Sequence, residues 1–450
     1  MYFKGQNFLV AGISGSGRSA ARFLLARGAK VFVYDDFINA DVRSSIDELV
    51  ALGAKEVTAA EYEECVEKCD VLVLSPGIPI DNPLPVAFRR AGKLITGEEE
   101  LACHYLRATS VAVTGTNGKT TTISMLAQML SDCGMRAFPC GNFGEPTLDL
   151  VDKCSYDDFA VMEISSFQLE TLFSLRPHVA VVTNITEDHL NRHYNMENYV
   201  YLKSKLVRGL RESEYAVLNY DDERVRGFSS LTRAKVVYFS ARRQVEGAYV
   251  QDGCVYFMGQ RLFACSDMAI GGGHNVYNAL ACAAVGGILG LDGDVVARSL
   301  CAFKGVRHRI EVVGEIDGVT YIDDSKATNV DAALKAVQSM SSATVILLGG
   351  KDKGYDFKRL FEGLNESSVV HAVLYGEARY KLLDAAIQSG FSSFSLCERF
   401  DDAVKLARSS ARSGQCVLLS PACSSFDEFS GYEQRGERFI ELVGSFENVV

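Results

Sequence analysis

The segment Gly115-Thr116-Asn117-Gly118-Lys119-Thr120-Thr121 ends an apolar run, Val111–Thr114, and leads into a helical pattern. That succession suits a nucleoside triphosphate. Backbone N–H groups of a tight glycine-rich turn converge on phosphate oxygens, and the start of the next helix adds its positive dipole end. Lys119 can reach the β and γ phosphates, and the Thr120 hydroxyl can ligate Mg²⁺. The spacing departs from the common G-x-x-x-x-G-K-[ST] loop, because Val113 stands where that pattern has its first glycine.

Other run ends carry groups that fit the same chemistry. Phe159-Ala-Val-Met-Glu163 closes on a carboxylate, so Glu163 and Thr120 form a candidate pair of Mg²⁺ ligands. Phosphoryl transfer depends on positioning and charge neutralisation, which such a pair supplies. Val179–Asn184 runs into Ile185-Thr-Glu187-Asp188-His189, making His189 a candidate ligand of a second ion. Further on, Gly305-Val-Arg307-His308-Arg309 precedes Tyr321-Ile-Asp-Asp324-Ser325-Lys326. There Arg309 can fork onto phosphate oxygens and Asp324 can accept from ribose hydroxyls. Lys326 and His308 are candidates for stabilising an oxyanion.

Near the start, Phe8–Ala11 leads into Gly12-Ile-Ser14-Gly15-Ser16-Gly17-Arg-Ser-Ala20, and Asp35-Asp36 close the next run. Taken as Gly15-x-Gly17-x-x-Ala20, this is a dinucleotide fingerprint and points to an NAD(P) dehydrogenase. A second phosphate loop is foreign to a simple dehydrogenase, whereas an enzyme that holds a nucleotide-linked substrate beside ATP needs both. Two nucleotide sites therefore favour a ligase. Ser75-Pro76-Gly77 after Val71–Leu74 places one more turn at the same sheet edge.

Positioning these groups takes alternating strands and helices. Apolar runs at Asn7–Ala11, Lys30–Tyr34, Val71–Leu74, Val111–Thr114, Phe159–Ile164, Val179–Asn184, Val319–Ile322, Val345–Gly349, Val369–Tyr375 and Cys416–Leu419 alternate with helical patterns. Parallel α/β sheets follow from that alternation. Three domains are expected: a Rossmann-like domain at 1–97, a central P-loop ATPase-like domain with a mostly parallel sheet at 98–305, and a Rossmann-like domain at 306–450. Short β-like runs between Ala234 and Ala269, with Gly253 and Gly259, predict a small antiparallel insertion.

Composition narrows the class. Hydrophobic residues make up 48% of the 450 and charged residues 23%, and no apolar run reaches the ~18 residues of a membrane span. The net charge of −11 disfavours a general nucleic-acid binder. Thirteen cysteines without tight C-x-x-C pairs fit reduced thiols. With no leader pattern at the start, a cytoplasmic enzyme is expected, acting as a monomer on small molecules.

Thr-Gly-Thr-Asn-Gly-Lys-Thr, Glu-Ile-Ser-Ser-Phe-Gln, Asn-Ile-Thr-Glu-Asp-His and Tyr-x-x-x-Lys occur in this order. Together they resemble the Mur ligase family, over essentially the whole chain. The resemblance implies ATP and two Mg²⁺ ions, with Lys119 on phosphate, Thr120 and Glu163 on one metal, and His189 on the other. It also implies that Lys203, four residues after Tyr199, is carbamylated and helps to hold the second metal; Lys205 is a neighbouring alternative. His274-Asn275-Val-Tyr-Asn278 resembles the segment that sets an Asn against adenine, here Asn278. Ser420-Pro-Ala-Cys-Ser-Ser425-Phe426 resembles the branch of the family that adds D-glutamate. That likeness implies Thr328, Lys353, Ser425 and Phe426 around the amino acid, with Lys351 as an alternative to Lys353. It places Ser14, Gly15, Ser16, Asp35, Asp36, Ser75, Asn142 and Gln168 around a UDP-linked muramoyl substrate. The implied reaction passes through an acyl phosphate, with domain closure before chemistry.

Overall fold

A computed structural model describes residues 3, 5–38, 40–59, 61–352 and 356–446. The chain divides into two compact units, Met1–Lys304 and Gly305–Val450. Among the described residues, no helix is long and apolar enough to cross a membrane.

The first unit carries two sheets. One has five parallel strands in the order Lys55–Glu56, Lys30–Tyr34, Asn7–Ala11, Val71–Leu74, Leu94–Thr96. Its central strands are apolar at almost every position because helices cover both faces; all four residues of Val71–Leu74 are buried. Strand order reverses between Asn7–Ala11 and Val71–Leu74, which opens a crevice at their carboxyl ends. Gly12 and Ser75 sit at that switch point, where Ser75 N donates to Ala11 O at 2.9 Å.

The second sheet has nine strands. At its heart Thr109–Thr114 lies between Phe159–Glu163 and Val179–Val182, with parallel pairing on both sides. That order brings the ends of three chemically loaded runs side by side, although they are far apart in sequence. The stretch expected as an antiparallel insertion is instead the continuation of this sheet. Lys235–Ser240 and Gly247–Gln251 add on in parallel, and only Cys254–Phe257 and Gln260–Ala264 turn antiparallel. Alternating apolar residues signal a strand but carry no record of its partner's direction.

The second unit holds a six-stranded sheet in the order Glu311–Ile316, Val319–Asp323, Cys416–Ala422, Thr344–Gly349, Val369–Tyr375, Phe394–Leu396. Only the first pair is antiparallel. Its two faces are filled separately, one by Phe357, Phe361 and Leu382 among others, the other by Phe400, Phe439 and Tyr375. Burying each such side chain stabilises the fold by roughly 1.5–3 kcal/mol, so both apolar layers hold the strand ends in place.

Candidate active site

The phosphate loop is pinned at every turn. Gly115 adopts φ +148, and a Cβ there would overlap the Thr183 hydroxyl. Thr183 Oγ1 donates to Asn117 O at 2.7 Å, and Asn117 N donates to Asn184 Oδ1 at 2.9 Å. Thr116 Oγ1 donates to Thr186 O at 3.1 Å and meets Tyr199 Oη at 3.0 Å. The helix Lys119–Asp132 then begins at Gly118, itself at φ +82. Loop and helix start are thereby preorganised as a cradle for anions. Lys119 Nζ folds back onto the carbonyls of Gly115 and Thr116 at 3.0 and 2.9 Å.

Across the strand boundary, Thr120 Oγ1 donates to Glu163 Oε2 at 2.7 Å, and Asn142 Nδ2 donates to Glu163 Oε1 at 2.7 Å. The two expected metal ligands are therefore in contact, and Asn142 orients the carboxylate. His189 follows the neighbouring strand in a left-handed conformation, φ 53, with Nε2 3.4 Å from Asp188 Oδ2. Its ring lies 4.8 Å from that of Phe167, which belongs to the segment after Glu163.

Lys203 is buried with 1% exposure, and its Nζ donates to Gly115 O at 2.7 Å. Burial, with Lys119 nearby, pushes its pKa well below the usual lysine range; Asp188 and Glu163 oppose that shift. Lys205 points elsewhere, against Leu169 O and the Phe173 ring. Packing thus separates two lysines that sequence spacing left ambiguous. Asn278 is buried against the loop: Thr122 Oγ1 donates to its Oδ1 at 3.2 Å, and a Cβ on Gly118 would collide with it. Its amide thus lies against Gly118 of the turn and Thr122 of the helix that follows.

In the crevice of the first sheet, Asp35 accepts from Ile13 N at 2.6 Å and from Phe37 N at 2.9 Å. Its carboxylate therefore shapes the turn, and Asp36 takes the Tyr34 hydroxyl. The fingerprint has a different phase from the Gly15-x-Gly17-x-x-Ala20 reading. Gly12, at φ +85, packs on Ser75, and a Cβ on Gly17 would overlap the Gly12 carbonyl. Gly15 faces open space. Close backbone approach thus falls on Gly12 and Gly17, with exposed Ser14 and Gly15 at the mouth.

Ser16 and Gln168 both line a small cavity of about 10 Å³, room for about one water, with Leu74, Pro76, Gly97, Glu98, Glu99 and Thr171. Gln168 is held tightly, its Oε1 accepting from Ser165 N at 2.8 Å and its Nε2 donating to Glu99 Oε1 at 2.9 Å. Glu98 and Glu99 are buried acids that sequence reasoning passed over as a domain boundary. Burial pushes the Glu99 carboxyl up to about 7. The signal available was three consecutive acids between a glycine and Leu101-Ala102.

In the second unit, Asp324 is buried. Ser420 Oγ donates to its Oδ2 at 2.7 Å and Ile310 N to its Oδ1 at 3.2 Å, and burial raises its carboxyl to about 7. Arg309 is exposed, next to Ile310 in the chain, and Lys326 Nζ lies 5.4 Å from the Tyr432 ring centre. His308 is buried beside them. It is 3% exposed, its Nδ1 bonds Asp323 Oδ2 at 2.7 Å, and its Nε2 faces Glu437 at 3.7 Å. Its ring nitrogens face two carboxylates of the same unit, and the short bond to Asp323 anchors its loop. Thr328 is half-buried, Ser425 buried and Phe426 54% exposed. Lys353 lies outside the described residues.

Comparison with known proteins agrees along the chain. The Mur ligase MurD-like N-terminal domain matches residues 6–97, the Mur ligase middle domain 113–286, and the Mur ligase glutamate ligase domain 308–423. A Pelotomaculum thermopropionicum protein is 40% identical over 447 residues, covering 98% of both chains. A Clostridioides difficile protein is 36% identical over 455 residues, covering 99% of this chain and 100% of that one. Both carry the name UDP-N-acetylmuramoylalanine--D-glutamate ligase. Among solved structures, a UDP-N-acetylmuramate-alanine ligase of Thermotoga maritima is similar in fold, with a TM-score of 0.52 at 19% identity over 98% of this chain and 99% of that one. A murein peptide ligase of Psychrobacter arcticus gives a TM-score of 0.52 at 18% identity, covering 99% and 100%. With three domain matches in order and relatives this similar from end to end, the chain belongs to the Mur ligase family.

Proposed function

We propose that this protein is an ATP-dependent ligase that joins D-glutamate to the alanyl carboxylate of UDP-N-acetylmuramoyl-L-alanine, acting as a cytoplasmic monomer in peptidoglycan precursor synthesis. The observation that carries the reading is the contact of Thr120 Oγ1 with Glu163 Oε2 at 2.7 Å, beside a phosphate loop backed by the buried amine of Lys203. Relatives named for this activity match almost the whole chain.

Three of the four donors, Thr120, Glu163 and a carbamate on Lys203, offer oxygen and suit Mg²⁺, a hard cation that prefers oxygen ligands. Thr120 and Glu163 would hold one ion; His189 and a carbamate on Lys203 would hold the other. Bound there, the ions would neutralise charge on the phosphoryl group during transfer. Carbamate formation joins an unprotonated Lys203 amine to CO₂ with release of a proton, and burial favours the unprotonated amine.

The chain's own groups then divide the work. Backbone N–H groups of Gly115–Thr121 and the Lys119 ammonium hold the β and γ phosphates, and Asn278, packed against Gly118, meets the adenine. The alanyl carboxylate attacks the γ-phosphorus, giving an acyl phosphate and ADP. Ser14, Gly15, Ser16, Ser75 and Gln168 orient the UDP-linked substrate. Arg309 and Asp324 serve ATP as phosphate and ribose contacts. Thr328, Ser425, Phe426 and Lys353 receive D-glutamate, whose amine attacks the acyl carbon. Lys326 stabilises the resulting oxyanion, and loss of phosphate, which carries off the amine proton as hydrogen phosphate, leaves the amide.

The test is phosphate release from ATP, Mg²⁺ and UDP-N-acetylmuramoyl-L-alanine with D-glutamate, L-glutamate, L-alanine or a diamino acid. Release that requires D-glutamate is expected. Release supported equally by another amino acid would overturn the assignment.

A further inference from the structure

Arg192 belongs to the short helix Leu190–His193 directly after His189, and stands outside the phosphate, metal and substrate sets. Its guanidinium is committed on all sides. Nε donates to Glu170 Oε1 at 3.0 Å and Nη2 to Glu170 Oε2 at 2.6 Å, a two-pronged charge-assisted pair. The remaining donors face the turn after Val71–Leu74: Nη2 reaches Ile78 O at 2.9 Å and Pro76 O at 3.4 Å, and Nη1 reaches Gly77 O at 3.4 Å. The guanidinium carbon also lies 4.9 Å from the Phe167 ring centre. With side-chain exposures of 11% for Arg192 and 8% for Glu170, water competes little with these bonds.

The contacts join three pieces of chain that come from different strand ends. Pro76–Ile78 continues from Ser75, in the crevice assigned to the UDP-linked substrate. Phe167 and Glu170 follow Glu163, a candidate metal ligand. Arg192 follows His189, the other candidate. The neighbouring side chains tie the same pieces: His193 Nε2 meets Ser166 Oγ at 3.0 Å, Phe167 lies against His189 with ring centres 4.8 Å apart, and Tyr194 bonds Asp81.

We propose that Arg192 is a positioning residue that locks the substrate-side turn Ser75–Ile78 to the metal-side segments carrying Glu163 and His189. It touches neither phosphate nor metal; it sets where the substrate carboxylate arrives relative to the γ-phosphate. A planar fork with five N–H donors can serve three carbonyls and a carboxylate at once. A lysine ammonium has the charge but only three donors and no fixed plane. The consequence for kinetics rests on the ligase reading; the locking of the turn does not.

The test uses the full chain with Arg192→Lys and, as a second variant, Glu170→Gln. Hydrogen exchange on the free protein is expected to show faster exchange in the Ser75–Ile78 turn for both, with the Gly115–Thr121 loop unchanged. In phosphate-release assays, KM for UDP-N-acetylmuramoyl-L-alanine is expected to rise at least tenfold in Arg192→Lys and kcat to fall. KM for ATP should stay within about twofold. Unchanged exchange in the turn overturns the proposal, and so does a parallel rise of every KM, which marks general loosening. A wild-type protein that is inactive with these substrates would refute the ligase reading, and the exchange result would still decide the role of Arg192.

Discussion

The Nζ of Lys203 lies 2.7 Å from the carbonyl oxygen of Gly115, inside the protein, at 1% exposure. A helix residue 88 positions downstream therefore reaches the first glycine of the phosphate loop. Lys205, two residues on, faces Leu169 instead. Lys203→Ala is predicted to lower D-glutamate-dependent phosphate release by about 100-fold or more, the scale of losing one charge-stabilising group. Lys205→Ala should stay within a few-fold of wild type. With ¹³C-bicarbonate, a carbamate carbon resonance is expected in wild type and absent from Lys203→Ala; a resonance that survives the substitution would refute the assignment.

Glu163 and Thr120 share one hydrogen bond, yet they should not contribute equally. A carboxylate brings charge to the cation and a hydroxyl only a dipole. Glu163→Gln should raise the Mg²⁺ concentration for half-maximal activity by about tenfold or more, and Thr120→Ala by less. Activity measured against Mg²⁺ at saturating ATP decides this; equal sensitivity of both variants to Mg²⁺ would count against Glu163 as a ligand.

Gly17 and Gly15 differ by one atom's worth of space. A Cβ on Gly17 would overlap the Gly12 carbonyl, forcing the helix Gly15–Ala26 off its strand, whereas Gly15 meets nothing within 4 Å. Gly17→Ala should cost about 1–3 kcal/mol or more of stability, as overpacking does. Gly15→Ala should stay within about 0.5 kcal/mol. Denaturant unfolding of both variants reads the contrast, and equal losses would mean that Gly17 is not the close-approach glycine.

Asp324 links stability to pH. Its carboxyl titrates near 7 when folded, against an ordinary aspartate value of 3.8, chiefly because of burial. Between those values the folded state holds more protons than the unfolded state, so this group's contribution falls as pH rises from about 4 to 7. The slope is at most about 1.4 kcal/mol per pH unit. Asp324→Asn removes that slope. Unfolding of wild type and variant at pH 5 and pH 8 should show wild type gaining on the variant at pH 5; a difference independent of pH would contradict a raised carboxyl.

The motifs that carried phosphate and metal chemistry were legible because each is local. A glycine turn between strand and helix, or an acid closing an apolar run, writes its geometry into a few adjacent residues. Glu98, Glu99, Arg192 and Glu170 were not legible. Their meaning lies in burial and in partners 22 to 116 residues away, such as Arg192 for Glu170, Gln168 for Glu99 and Pro76 for Arg192. The bond of His308 to Asp323 was out of view for the same reason.

By itself, the order of residues determined the alternation of strands and helices, the parallel α/β class, the phosphate loop and the family resemblance, because hydrophobic periodicity and turn chemistry act over short stretches. Only the tertiary structure decided that Lys203 and not Lys205 backs the loop, that the close-approach glycines are Gly12 and Gly17, and that strands at 235–264 extend the central sheet. Those outcomes depend on strand order and on which side chains packing excludes from water, and neither is encoded in any one segment.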